Sequence, residues 1–443
     1  MPLGTWMRSR AVWSKTSKRG RPGWRSRWSS LCQDCATRSP GVNGGEARVG
    51  VLERLNRWLD VRLGHRRWWG AWRARTLPAS PSWWLTSGSL VFWLLVIEVA
   101  TGLLLMASYS PSLATAWPSV SYIERTAAGS FLRGVHYYTA QALIVALLVH
   151  LIRVVACGIF RAPRELIWVT GLLSLPLVLT WAMTGNPLSG SQQGLAQVAV
   201  EAQIVGSTPG VGPTLSRLLL GGEEVGHLTL VRLYFLHVAV VPLAAAALLA
   251  LHISQVLRHG LAPRENNQQP SAPVPYWPYQ SVRNMAVLAL VVGIIALLAW
   301  RYGAPLGAPA DPDLPHHPRP EWYFRALFEL RRHFTGEQEL IATLLIPTAV
   351  LLIFLTFPLW DGLFGRRTAS LLRTSTLLAG LAGWGWLTGM SYHRDLHDGE
   401  YQASRKQDRI WAERARVLAA RGVPPTGPAE LLRNDPQTQG PLL

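Results

Sequence analysis

The sequence predicts an all-α integral membrane protein with seven transmembrane helices. Of its 443 residues, 49% are hydrophobic and 15% are charged, whereas soluble globular domains are about 25% charged. The apolar residues are gathered into seven long runs, each close to the roughly 20 residues that a helix needs to cross a bilayer. Soluble domains are therefore disfavoured, and three cysteines are too few for a disulfide scaffold.

Polar connections separate the seven runs, and two of these connections are long. The runs cover residues 88–108, 135–157, 166–185, 230–254, 283–300, 340–359 and 370–391. The fifth run is the shortest. The long connections, 186–229 and 301–339, follow the third and fifth runs, so they emerge on the same side of the membrane.

Positive charge predicts the orientation. Residues 1–80 hold 17 Lys and Arg against four Asp and Glu, which is typical of the cytoplasmic flank of a membrane helix. Nucleic-acid binding, the alternative for a basic arm, is disfavoured because no nucleic-acid module follows. The connections after even-numbered runs carry Arg161, Arg164, Arg258, Arg264, Arg366, Arg367 and Arg373. The amino terminus is therefore expected in the cytoplasm, and both long loops and the tail from Tyr392 outside.

The segment before the first run divides in two. Residues 51–64 have the leucine periodicity of an amphipathic helix suited to the cytoplasmic interface. Residues 1–50 have no periodicity, and we interpret them as a disordered basic arm or as the result of a start codon placed too far upstream. Cys32 and Cys35 form a C-x-x-C, but Ala36 follows where c-type haem attachment needs histidine.

Two of the predicted spans carry a pair of histidines. His136 and His150 lie in the second span, and His237 and His252 lie in the fourth. At about 1.5 Å and 100° per residue, each pair occupies one helix face with a separation of about 21–22 Å. The two spans run in the same direction, so His136 is level with His237 and His150 with His252. Two levels of facing imidazoles are what two bis-histidine haems require.

Other readings of these histidines are weaker. Four isolated histidines bonded to backbone carbonyls would not be expected to form two matched pairs. A zinc or copper site is disfavoured because no third ligand lies near either level.

Residues near the histidines fit the haem interpretation. Arg133 and Arg153 each lie three residues from a histidine, where they would pair with a haem propionate or simply snorkel to the interface. Gly88, Gly102 and Gly129 would leave room for a porphyrin beside the backbone, although small residues also serve helix packing.

Short motifs accompany the histidines in a fixed order. They are SGSL at 87–90, TGLLL at 101–105, RGVH at 133–136, HLIR at 150–153, PRE at 163–165, T-L-x-R-x-x-x-x-H ending at His237, and PEWYF at 320–324. Over about residues 51–391 the sequence thereby resembles cytochrome b of the quinol-oxidising bc and bf complexes. The fourth-span histidine spacing and the three spans that follow resemble the bf branch, with its two membrane subunits fused into one chain.

The resemblance implies a domain organisation. Residues 51–260 would form the amino-terminal cytochrome b domain with a dihaem four-helix bundle, and 261–391 the carboxyl-terminal domain with the PEWY loop. The polar tail, 392–443, would lie on the outer side, with an amphipathic helix near 402–420 and then a segment similar to the linker before a c-type haem domain.

The resemblance also implies the cofactor ligands. The low-potential haem near the outer face would be held by His136 and His237, and the high-potential haem by His150 and His252. The cysteine that attaches an extra haem in the bf branch is replaced by Leu85. We therefore expect two non-covalent b haems and no covalently attached haem.

In the resembled family, PEWY lines the outer quinol-oxidation pocket. The matching residues, implied to be catalytic, are Pro320, Glu321, Trp322 and Tyr323. Oxidation of a quinol releases protons, and a partly buried carboxylate such as Glu321 can accept one. The other wall would come from 184–212, where the usual Leu-Pro-Trp is replaced by Leu188, Ser189 and Gly190.

Three functions are compatible with a membrane protein of this kind. The first is the catalytic subunit of a quinol:cytochrome c (or similar carrier) oxidoreductase in the bacterial inner membrane, a homodimer working with a Rieske iron–sulfur protein and a c-type cytochrome. The second is a dihaem anchor that wires another dehydrogenase or reductase to the quinone pool, and the third is a haem-less scaffold. The PEWY loop favours the first over the second, and the four histidines disfavour the third.

Overall fold

The protein is described by a computed structural model for residues 51–77, 81–260, 274–314 and 316–439. The predictions for residues 1–50, including Cys32 and Cys35, lie outside this part of the chain. The described residues divide into two compact units between Trp69 and Gly70.

The described part of the first unit is helical. It contains α1 (Val51–Leu63) and the start of α2 (His65–Arg73). No residue of α1 is buried, and Val51 and Leu52 are 83% and 81% exposed. The amphipathic helix predicted for 51–64 is therefore present, and its apolar stripe is uncovered, as an interfacial helix requires.

The second unit is almost entirely helical within its described residues. Its first helices are α3 (Ser87–Met106), α4 (Ala116–Glu124), α5 (Ala127–Ala156), α6 (Glu165–Gly185), α7 (Gln192–Gly206) and α8 (Gly212–Leu220). The next are α9 (His227–Phe235), α10 (Val241–His259), α11 (Tyr279–Tyr302), α12 (Arg325–Arg331), α13 (Ile346–Leu355) and α14 (Trp360–Phe364). The last are α15 (Arg366–His397), α16 (Gly399–Ala419), α17 (Glu430–Arg433) and α18 (Pro436–Gln439).

Shorter elements join these helices. Two strands of two residues, β1 (Thr76–Leu77) and β2 (Val274–Pro275), pair antiparallel with Thr76 opposite Pro275. Two π-helical turns, Leu236–Val240 and Ile341–Leu345, connect α9 to α10 and precede α13. The 3-10 turns are Trp83–Thr86, Asn186–Ser189, Trp322–Phe324, Gly336–Gln338 and Phe357–Leu359.

Within the described residues, six helical segments are long and apolar enough to cross a membrane. They are Trp83–Met106, Ala127–Ala156, Glu165–Ser189, His227–His259, Tyr279–Tyr302 and Ile341–Phe364. They correspond to the first six predicted spans. The largest difference is at α5, which begins eight residues before the predicted 135 because Thr126 caps it by accepting a hydrogen bond from the Gly129 amide.

The seventh predicted span, 370–391, lies within α15. That helix is 32 residues long, but its many Gly, Ser and Thr residues make it less apolar than the other six. Its central part nevertheless exposes large apolar side chains, including Leu378 at 59% and Trp386 at 71%.

The membrane helices pack in pairs. α3 lies along α5, and α6 lies along α10, while α5 also contacts α6 and α11. A buried cluster joins four of these helices through Leu94, Leu143, Val178 and Ile295. The space between the two pairs of helices is where the histidines meet.

Both long loops and the tail pack at one end of the bundle, which we call the loop end. Here Trp117 on α4, Leu306 in the second long loop, Ala415 on α16 and Leu431 on α17 form one buried cluster. The tail segment after α16 therefore folds back against the protein instead of extending away as a linker. The helix predicted near 402–420 corresponds to α16.

Candidate functional site

Each of the four predicted histidines packs against a glycine of a neighbouring helix. A Cβ added to Gly88 or Gly102 on α3 would lie 3.3 Å from Cε1 of His150 and 3.4 Å from Cε1 of His136, respectively. On α6, a Cβ at Gly171 would lie 2.9 Å from Cε1 of His252, and one at Gly185 would lie 2.6 Å from Cε1 of His237. The absence of a side chain on these glycines is what lets the imidazoles lie against helix backbone.

A hydroxyl residue precedes each of these glycines and contacts the same imidazole. The Nδ1 atoms of the histidines lie 3.1 Å from Ser87 Oγ, 2.9 Å from Thr101 Oγ1, 3.2 Å from Thr170 Oγ1 and 3.3 Å from Thr184 Oγ1. The three threonines also donate to carbonyls of their own helices, so they accept from Nδ1.

Backbone carbonyls strengthen this arrangement on α6. His237 Nδ1 donates to the carbonyl of Trp181 over 3.0 Å, and His252 Nδ1 donates to that of Ile167 over 3.1 Å. A proton on Nδ1 leaves the Nε2 lone pair free, which is the tautomer that a metal-binding histidine needs.

Two of the predicted histidines lie opposite each other between the helix pairs. The ring centres of His136 and His237 lie 6.4 Å apart. A metal held between two imidazoles by bonds of about 2 Å would separate the ring centres by about 6 Å. His150 and His252 lie at the other level, against Gly88 and Gly171 respectively. The donor set, the free Nε2 atoms and the glycine cradles all fit bis-histidine haem.

A π-helical turn explains the unequal histidine spacing. The turn Leu236–Val240 contains His237, and it adds one residue to the helix relative to regular α geometry. The fifteen-residue separation of His237 and His252 therefore covers about the same axial distance as the fourteen-residue separation of His136 and His150. Pro242 follows the turn and cannot donate a backbone hydrogen bond, which favours the local irregularity.

The residues predicted beside the haems differ in their surroundings. Arg133 lines the loop-end cavity, but it pairs with Glu124 at 2.5 Å and donates to the carbonyl of Ala304 over 3.0 Å. Arg153 is 6% exposed. At Gly129 a Cβ would meet the carbonyl of Ile123 at 2.3 Å, so a glycine is needed there by the turn that begins α5.

A cavity of about 480 Å³ at the loop end joins the histidines to the PEWY segment. Its lining includes His136, His237, Glu321 and Tyr323. Its volume is within the range of small-molecule sites. One continuous space therefore reaches from the loop-end histidine pair to the carboxyl group of Glu321.

The PEWY residues divide between lining and support. Burial raises the pKa of the Glu321 carboxyl, although the nearby Arg325 lowers it. Tyr323 and Asn186 both line the cavity. Trp322 donates from Nε1 to Oε1 of Gln141, a cavity-lining residue, over 2.7 Å. Pro320 is half-buried and does not line the cavity.

The altered segment Leu188-Ser189-Gly190 has a structural reason. Gly190 has φ +63°, and a Cβ there would lie 2.5 Å from the backbone nitrogen of Trp117. Only glycine tolerates both conditions. The Gly190 carbonyl accepts from the amide of Ala310 over 2.9 Å, so this segment joins the wall formed by the first long loop to the second long loop.

Sequence reasoning missed a carboxyl group near this cavity. Glu201 on α7 is half-buried and accepts a hydrogen bond from Gln197 Nε2 over 2.6 Å. Burial raises the pKa of Glu201 to about 7, although this hydrogen bond lowers it. Gln197 itself lines the cavity.

The glycine cradles on α6 were missed as well. A repeated dipeptide in the sequence could have indicated them: Ser or Thr followed by Gly occurs at 87–88 and 101–102, and again at 170–171 and 184–185. Each pair is separated by fourteen residues, which matches the spacing of the first histidine pair.

Comparison with known proteins identifies the family. Residues 141–309 match the family model described as cytochrome b (N-terminal)/b6/petB. Cytochrome b of Rhodobacter capsulatus is 30% identical over 308 residues, which cover 65% of this chain and 67% of that protein. Cytochrome b6 of Synechococcus sp. (strain JA-3-3Ab) is 31% identical over 212 residues, which cover 48% of this chain and 99% of that protein.

Two further comparisons agree. The menaquinol:cytochrome c reductase cytochrome b subunit of Geobacillus thermodenitrificans is 31% identical over 221 residues, covering 48% of this chain and 99% of the relative. A chain of a hyperthermophilic respiratory complex III has the same fold, with a TM-score of 0.61, 20% identity and coverage of 76% of this chain and 99% of its own. The resemblance read from the motifs is thus confirmed, and the chain belongs to the cytochrome b/b6 family of integral membrane proteins that carry haem b.

Proposed function

We propose that this chain is the cytochrome b subunit of a quinol oxidoreductase complex. It would oxidise quinol at the loop end and conduct electrons across the membrane through two non-covalent b haems. The observation that carries this proposal is the cavity shared by the His136–His237 pair and Glu321. A cavity that places a haem-ligand pair and a half-buried carboxyl group in one space suits coupled electron and proton transfer.

Four histidines would hold the haems in this proposal. His136 and His237 would bind the iron at the loop end, and His150 and His252 the iron at the opposite end. Haem supplies a one-electron redox site at each level when bound. Arg153, buried near His150, would neutralise a propionate, and Arg133 would do so at the loop end if it released Glu124.

The PEWY residues would handle the protons of quinol. Glu321 would accept a proton from a quinol hydroxyl, because its half-buried carboxylate faces the cavity. Tyr323, which also lines the cavity, would position the quinol ring. Trp322 would brace the segment through Gln141, and Pro320 would set the direction in which the chain enters it.

Partners follow from the balance of the reaction. Oxidation of a quinol releases two electrons and two protons, and the two haem sites would accept one of the electrons. The other would leave through a Rieske iron–sulfur partner to a c-type cytochrome or similar carrier. The relative named as part of a menaquinol:cytochrome c reductase supports such an acceptor. A homodimer within a larger complex is proposed from the family resemblance.

The membrane topology belongs to the same proposal. α15 would be the seventh transmembrane helix, since residues 374–392 carry no Lys, Arg, Asp or Glu and expose apolar side chains. The amino terminus would then lie in the cytoplasm of a bacterium, and the loop end would face the periplasm together with the tail. α3, α5, α6 and the α9–α10 segment would form the dihaem four-helix bundle.

The first test is spectroscopic. The complex purified through this chain would be analysed by a dithionite-reduced minus oxidised spectrum and pyridine haemochrome quantitation. We expect two b haems per chain and no haem left on the protein after acid–acetone extraction. One haem or none would contradict the electron path across the membrane. Quinol oxidation by the complex carrying Glu321→Gln would then test the proton-accepting role.

A further inference from the structure

Glu98 is a buried carboxyl group inside the membrane region. It lies on α3, one turn before Thr101, and is 8% exposed. Its Oε2 atom lies 2.9 Å from Nδ1 of His136. Among the described residues, its other oxygen, Oε1, has no hydrogen-bond partner, and Glu98 lines the loop-end cavity.

This contact makes the four histidines unequal. Nδ1 of His237 and of His252 contacts a hydroxyl and a backbone carbonyl, and Nδ1 of His150 contacts the Ser87 hydroxyl. His136 alone among the four also contacts a carboxyl group within the described part of the chain. The two haem levels are therefore not electrostatically equivalent, although their glycines and hydroxyls match.

A carboxylate that accepts a hydrogen bond from a ligand imidazole raises the basicity of that ligand. It also adds negative charge where the dielectric constant is low, so its effect on a nearby metal is larger than in water. Both effects stabilise the oxidised, more positive iron over the reduced iron. Hydrogen bonding to the axial ligand and local charge are recognised determinants of haem potential.

We propose that Glu98 is a positioning residue that makes the His136–His237 site the lower-potential of the two haem sites. The inference rests on the proposed function, in which an electron leaves this site for the His150–His252 site. A lower potential at the loop end favours that direction. Glu98 thus supplies part of the driving force for electron transfer across the membrane.

The test is a potentiometric titration of the b haems in the purified complex, comparing the native chain with Glu98→Gln. Gln keeps the shape of Glu and removes its charge. We expect the lower midpoint potential to rise and the higher to stay unchanged. The equilibrium constant between the two sites should fall about tenfold, which is about 59 mV for one-electron couples. Ser87→Ala, which removes a neutral contact at His150, is the matched control and should leave the lower midpoint unchanged.

A purely structural role for Glu98 would change haem content without shifting the midpoint of the haem that remains. Glu98→Asp keeps the charge but shortens the side chain, so an intermediate shift is expected, and this variant provides the test if the Gln variant loses haem. Two haems with unshifted midpoints in every haem-retaining variant, or a shift of the higher midpoint only, would overturn the proposal. Absence of b haem from the native complex would instead refute the proposed function.

Discussion

Gly185 lies directly against the imidazole of His237, so that a Cβ on Gly185 would come within 2.6 Å of Cε1. Real Cβ atoms do not approach a ring carbon this closely, and both groups are held by packed helices. This glycine therefore determines where the imidazole can lie. The close approach also makes haem retention sensitive to a single methyl group.

We expect Gly185→Ala to displace His237 and to lose the haem at the loop end, with an overpacking cost of about 1–3 kcal/mol. Pyridine haemochrome quantitation should fall from two b haems per chain to one. Gly380→Ala is the control, because a Cβ at Gly380 on α15 meets no atom within 4 Å. Full haem content in the Gly185 variant would contradict the cradle interpretation.

Glu321 predicts a pH dependence of quinol oxidation. Its pKa is raised by burial, and only the ionised form can accept a proton. The rate should therefore fall as pH decreases through this raised pKa. Glu321→Gln should lower the rate by about 10²–10⁴-fold and abolish this limb of the pH profile. The control is Glu223→Gln, because the side chain of Glu223 is 76% exposed and its loss should leave the pH profile unchanged. An unchanged pH profile in the Glu321→Gln variant would exclude Glu321 as the proton acceptor.

Glu201 should titrate near neutral pH. Burial raises the pKa of Glu201 to about 7, so the group is protonated below that pH and ionised above it. We expect infrared spectroscopy of the complex to show a protonated-carboxyl band that disappears as pH rises through about 7. The band should be missing in Glu201→Gln and present in Glu223→Gln. A band that survives in the Glu201 variant would have to come from another carboxyl group.

The tail is held at the loop end by Arg433 and Asp311, whose atoms Nε and Oδ2 lie 2.8 Å apart. Arg433→Ala would leave the Asp311 carboxylate, 2% exposed, without this partner. We expect the docked tail to be destabilised locally by about 1–2 kcal/mol. Solvent screening of the exposed Arg433 limits the loss, whereas burial of the unpaired Asp311 carboxylate increases it. Hydrogen exchange of amides 429–435 should become about tenfold faster, whereas the exposed Arg409→Ala should have no effect.

The same ion pair predicts that docking of the tail weakens at low pH. Burial raises the pKa of Asp311, but the hydrogen bonds from Arg433 outweigh this, and the net pKa is below the ordinary 3.8. The contribution of the pair to stability is therefore fully present above pH 3.8 and is lost as pH falls through the lowered value. Exchange rates of the native tail and the Arg433→Ala tail should converge in that range. A constant difference between them down to the lowest pH would contradict this assignment.

Six membrane helices, the level-matched histidines and the PEWY segment could all be predicted from the sequence. Apolar run length and helical periodicity are local properties, so they can be read without knowing which helices touch. Family motifs around His136, His237 and Glu321 then predicted the chemistry. The seventh span was harder to judge, because the Gly-rich α15 has the length of a membrane helix without the apolar composition of the others.

Contacts between distant segments were decided only by the tertiary structure. The histidine spacings predict the level match, but the π-helical turn at 236–240, which accommodates the one extra residue in the separation of His237 and His252, is visible only in the structure. In the sequence, Glu98 is an isolated charge in an apolar run. Only the packing of α3 on α5 shows that it lies against His136. The sequence of the tail is that of a polar linker, whereas the structure shows that Leu431 is buried against Trp117. In each case the energy comes from close contact between side chains far apart in the chain, which no local pattern records.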